Sequence, residues 1–85
     1  MRILATVFAL SFFTAISAQA DDRALTEQEI EGVQAAVKAM GCTVADKDIE
    51  AERGGYEAED AICDRVQYDI YLDGDFNVTN KVKED

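Results

Sequence analysis

The chain has 85 residues, with 18 acidic against 8 basic, for a net charge of −10 at pH 7. A surface this acidic repels phosphate backbones and anionic lipid, which argues against nucleic-acid binding and membrane adsorption. Histidine, proline and tryptophan are absent, and the serines, Ser11 and Ser17, both fall before residue 20. Downstream of them, a Ser-His-Asp or Cys-His nucleophile and a His-ligated zinc site are excluded.

Met1-Arg2 sets a positive charge ahead of an apolar run from Ile3 to Ile16, and Ser17-Ala18-Gln19-Ala20 places small residues at the two positions a signal peptidase reads. This pattern predicts a secretory signal peptide over residues 1–20, cleaved after Ala20. The apolar run is shorter than the roughly 20 residues a membrane span needs, so no membrane insertion is expected after cleavage. The expected location is periplasmic or secreted. Cleavage leaves residues 21–85 as one domain, and loss of Arg2 takes its net charge to −11. A domain this small buries only about 60% of its unfolded surface, so its core is marginal and a covalent staple would help.

Leu25-Thr26-Glu27-Gln28-Glu29-Ile30 carries several agreeing signals for a helix start. Thr26 and Glu29 have capping-box spacing, and Leu25 and Ile30 have the spacing of a hydrophobic staple. Glu27, Glu29 and Glu31 favour the positive end of the helix dipole. Ile30, Val33, Val37 and Met40 recur at spacings of three and four, an apolar stripe. Gly41 supplies a left-handed cap, so a helix is expected over about residues 27–40.

An extended segment begins at Cys42-Thr43-Val44, is interrupted at Asp46-Lys47-Asp48 and resumes at Ile49-Glu50-Ala51-Glu52. Arg53-Gly54-Gly55 is a hairpin signal in which both glycines are read as suppliers of positive φ. Continuing the Tyr56, Ala58 face would bring Asp60 inward, so a bulge is expected near Asp60. Asp64-Arg65 is the next turn. In Val66–Asp73, Val66, Tyr68, Ile70 and Leu72 alternate with polar residues and Tyr71, the period-two pattern of a strand with one buried face. Gly74 marks a tight turn, and Phe76 and Val78 are expected to share one face of a last strand. Short links require antiparallel neighbours. The expected fold is α+β, one N-terminal helix on a small three- to four-stranded antiparallel meander sheet.

Cys42 and Cys63 are 21 positions apart, without Cys-x-x-Cys spacing. In an exported chain they read as a structural disulfide on neighbouring strands, offset by a few residues. Asp73-Gly74-Asp75-Phe76-Asn77 copies the opening of a calcium loop, but Val78 stands where the sixth position wants glycine, so the hairpin reading prevails. Asn77-Val78-Thr79 has the N-glycosylation spacing, which matters only in a eukaryotic secretory pathway.

Leu25-Thr26-Glu27, Met40–Val44, Ile49-Glu50, Gly54–Ala58 and Tyr68–Asp73 together resemble a PepSY domain of the short, stand-alone kind found in exported bacterial proteins. The likeness covers nearly all of residues 25–80. Two departures involve the cysteines: Cys42 stands where the family commonly has an aromatic, and Cys63-Asp64-Arg65 where a glycine turn is common. The resemblance implies a non-enzymatic protein-binding module whose partner is another exported protein, in particular a peptidase that it restrains. It brings no catalytic, cofactor or metal residues. One sheet edge and the acidic outer face are the expected contact surfaces. From a different class, low-affinity calcium binding by the acidic surface or a structural envelope role is the alternative.

Overall fold

The computed structural model describes residues 23–84; the signal-peptide reading of residues 1–20 lies outside them. Helix α1 spans Glu27–Ala39. The capping box forms as its spacing requires: the Glu29 amide donates to Thr26 Oγ1 at 3.0 Å and the Thr26 amide donates to Glu29 Oε1 at 2.9 Å. Gly41 ends the helix at φ +83°. Val33 and Val37 are fully buried, and Ile30 and Met40 pack at the margin of the core. No helix among the described residues is long and apolar enough to cross a membrane.

Five strands follow: β1 (Cys42–Thr43), β2 (Ile49–Glu52), β3 (Gly55–Cys63), β4 (Val66–Asp73) and β5 (Val78–Lys83), with a 3₁₀ turn at Asp46–Asp48 between the first two. All pairings are antiparallel, and β1 and β2 lie end to end along β3, followed by β4 and β5. The architecture is the expected α+β meander, with its first strand broken in two. Tyr56, Ala58, Ala61, Cys63, Ile70 and Leu72 of β3 and β4 turn toward the helix and form the core with Val33, Val37, Cys42 and Ile49.

Local backbone irregularities keep the apolar side chains on that face. The β3–β4 register shifts between Ala58 and Ala61, with Asp60 at φ 60°. This bulge lets Tyr56 and Ala58 before it, and Ala61 and Cys63 after it, all face the helix while Asp60 stays exposed. Asp64 and Arg65 both take positive φ, at 56° and 73°, the primed hairpin turn that matches strand twist.

The glycines at the β2–β3 turn divide the work differently from the expectation. Gly54 alone takes positive φ, +80°. Gly55 is an ordinary strand residue whose missing Cβ makes room for β4: a methyl there would run into the Leu72 carbonyl and lie 2.9 Å from Asp73 Cα. The β4–β5 loop brings a second correction. Phe76 is not a strand residue as expected; it sits in the loop at φ 67°, its ring folded back onto Tyr56 on the helix side with centroids 5.2 Å apart. Val78 stays exposed. A Cβ on Gly32 would lie 2.5 Å from the Phe76 ring, so this helical glycine opens the notch that the ring fills.

Candidate interaction face and free sheet edge

The two cysteines form a disulfide, with Cα atoms 4.3 Å apart. They stand directly opposite one another in the β1–β3 ladder rather than offset. Continuing the β2–β3 register would have set Cys42 against Arg65; the 3₁₀ turn takes up two extra residues and slides β1 along β3 until the cysteines face. Cys42 and Cys63 are both buried, so the bond is a staple at the base of the helix.

Since the helix covers one face only, the opposite face of the sheet carries the polar positions of each strand. Glu50, Glu57, Tyr71 and Asn80 follow one another across β2, β3, β4 and β5 as register partners, and paired residues share a face. Asp69 pairs with Val82 in the neighbouring row. Carboxylates therefore crowd this face in two groups, Glu50–Glu52–Glu57 and Asp60–Asp69–Glu84, the ligand oxygens within each lying within 4.8 Å of one another.

The crowding is legible in the acidities. Burial first, then the hydrogen bond shared with Glu52 and the charge of Glu59, push the Glu57 carboxyl up to about 8. Glu57 is the one buried charged residue among those described, at 7% exposure. The hydrogen bond to Asp69, followed by burial and the Asp69 charge, lifts Glu84 to about 7. Burial and the neighbouring carboxylates also raise Glu59, and the charge of Glu57 raises the Tyr71 phenol. Among the described residues the ion pairs are Arg23–Glu29 and Lys47–Asp48; neither reaches the carboxylates of β3 or β4. The lysines of β5 pair across to the helix side instead, Lys81 with Ile70 and Lys83 with Tyr68. The Lys81 ammonium sits 4.3 Å from the Tyr68 ring centroid.

Among the described residues the outer edge of β5 has no neighbouring strand, and all six of its residues are exposed. The other edge is interrupted by the 3₁₀ turn. Among the described residues Ile62, Val78 and Val82 are the large apolar side chains left exposed, and Val82 shares the acidic face through its pairing with Asp69.

Two further features are structural. A groove of about 380 Å³ runs along the helix beside Ile30, Glu31, Gln34, Ala35, Lys38 and Asp46. The Gln34 amide in it donates to the Val44 carbonyl and to Asp46 Oδ1, both at 2.8 Å, and ties the helix to the 3₁₀ turn. In the Asp73 loop the carboxylate closes the turn: Oδ1 accepts from the Asp75 and Asn77 amides at 2.9 Å, and Oδ2 accepts from Asn77 Nδ2 at 3.2 Å. The bond from the Asn77 backbone amide leads the interactions that hold the Asp73 pKa below the usual carboxylate range. The loop that copies a calcium motif is thus a hairpin closed by its first aspartate.

Sequence reasoning singled out the acidic outer face and one edge strand, and missed the burial of Glu57. Its neighbours Tyr56 and Ala58 occupy the core face, so alternation alone marks Glu57 as solvated; only the cross-strand row of Glu50 and Tyr71 covers it. It also missed Glu29 as a junction. Beyond the cap, Glu29 accepts from Arg23 at 2.9 Å and from the Tyr56 hydroxyl at 2.8 Å. Arg23 first, then the Thr26 amide and Tyr56, bring its carboxyl down to about 2. No known protein family matches the chain, and no curated protein or solved structure shows a match.

Proposed function

We propose that the chain is an exported, non-enzymatic binding module of the PepSY-like kind, which engages another exported protein and restrains a peptidase. The observation that carries this reading is the division of the sheet. One face is sealed by the helix, whereas among the described residues no further element covers the other face or the outer edge of β5. Extended peptides dock on such edges by completing the ladder, and substrate-like segments of peptidases and their regulators are extended. The disulfide fits an oxidising compartment. The order helix, hairpins and Tyr68–Asp73 strand, on which the PepSY resemblance rests, gives the reading its partner class.

The test is an inhibition assay on peptidases exported by the same cell, with the disulfide-bonded protein added in excess. A saturable fall in the rate of one enzyme is expected. Unchanged rates across the set would overturn the peptidase reading. Calcium binding is the second reading, favoured by the Glu50–Glu52–Glu57 trio; a melting temperature unmoved by millimolar calcium would remove it.

A further inference from the structure

The sheet is electrostatically two-sided at its free edge. On the outer side, Asn80, Val82 and Glu84 border an added strand, with Asp69 and Asp60 behind them; the last two form a carboxylate cluster with Glu84. On the helix side the same edge presents Lys81 and Lys83. Successive side chains of an incoming strand point to opposite faces. The two sides therefore ask for opposite charges at alternate positions.

We infer that β5 is the docking edge for an extended segment of a partner protein whose residues alternate basic and acidic, with its Lys or Arg side chains over Asp69 and Glu84 and its Asp or Glu side chains beside Lys81 and Lys83. Strands lie about 4.8 Å apart, so a long basic side chain from the next strand reaches Glu84 beside it and Asp69 one strand further in. The crowding of Asp60, Asp69 and Glu84, none of which is in an ion pair within the described chain, is relieved by such a cation. Exposed Val82 supplies apolar contact for the aliphatic stem. A second copy of this chain is a poorer occupant, because it would lay another acidic outer face beside the first. The inference rests on the reading of the protein as a binding module, and supplies the chemistry of the segment bound.

Two peptides of equal composition and zero net side-chain charge test the pattern: Lys-Glu-Lys-Glu-Lys-Glu, whose charges sort onto opposite faces when extended, and Lys-Lys-Lys-Glu-Glu-Glu, whose charges do not. The full chain, with its Cys42–Cys63 disulfide formed, is titrated with each while the backbone amides are followed by NMR. The alternating peptide is expected to shift β5 amides, to bind at least tenfold more tightly than the block peptide, and to lose tenfold on raising salt from 50 to 500 mM, as exposed charge pairs are screened. Asp69→Asn with Glu84→Gln should cost a further tenfold without loss of the folded spectrum. Equal affinity for both peptides, shifts confined to residues away from β5, or no binding at millimolar peptide would each overturn the inference. Should the alternating peptide bind at β5 while no exported peptidase changes rate, the peptidase reading falls and this one stands.

Discussion

Glu57 offers the sharpest test of the physics of this fold, because a buried carboxyl on an otherwise wet sheet face must hold its proton or destabilise the domain. Glu57→Gln keeps the size and shape of the side chain and removes its ability to ionise. The rise from 4.5 to about 8 corresponds to at most about 5 kcal/mol, at about 1.4 kcal/mol per unit. Glu50 and Glu52 beside it are only half-buried, so water reaches the rim of the cluster and screening leaves roughly 2 kcal/mol. The folded chain holds this proton to higher pH than the unfolded chain does. Glu57 therefore imposes no ionisation penalty below pH 4.5; stability falls as pH rises from 4.5 to about 8 and then levels off. The glutamine variant escapes that loss, and its amide can still donate to Glu52. Thermal denaturation followed by circular dichroism should find the two proteins close at pH 4. At pH 9 the variant should melt about 10 °C higher, given some 4–8 °C per kcal/mol for a domain of this size. A gap of the same size at both pH values, or a variant less stable at pH 9, would refute the reasoning.

Reducing the Cys42–Cys63 bond, or replacing both residues by alanine, reopens a loop of 21-residue separation; about 3 kcal/mol of stability should disappear in urea titrations, a large share for so small a domain. Gly55→Ala should unfold the β2–β3 hairpin, because the methyl meets the Leu72 carbonyl; Gly54→Ala, which meets only the left-handed strain of φ +80°, should cost about 1–2 kcal/mol, and amide hydrogen exchange of β2 would separate the two. Phe76→Ala should lower stability by about 2–4 kcal/mol through loss of the ring that stacks on Tyr56 and fills the notch at Gly32, and near-ultraviolet circular dichroism should report the freed tyrosine. Glu29→Gln should weaken the helix start chiefly above pH 4.5: the lowered carboxyl contributes stability that is present above its unfolded value and is lost as pH falls toward 2, so the difference between the proteins should shrink on acidification.

The helix was legible because its signals are local. Thr26 and Glu29 are one turn apart, Val33 and Val37 share a stripe, and Gly41 needs only its own φ to end the run. The strand Val66–Asp73 was legible for the same reason, since alternation is a property of consecutive residues. Even the bulge at Asp60 could be anticipated from a break in phase. Tertiary structure decided what depends on register, which a chain of short hairpins sums over its bulges and turns. The slide of β1 along β3 that brings Cys42 opposite Cys63 comes from the count of residues in the 3₁₀ turn. The identity of Gly55 answers to a carbonyl on β4, and Phe76 leaves the strand because Gly32, 44 positions earlier, leaves room for its ring. The burial of Glu57 likewise needs partners from two neighbouring strands. Composition determined that this chain would be acidic, but only the ordering of the strands decided that its carboxylates gather on one face while the lysines of its free edge turn to the other.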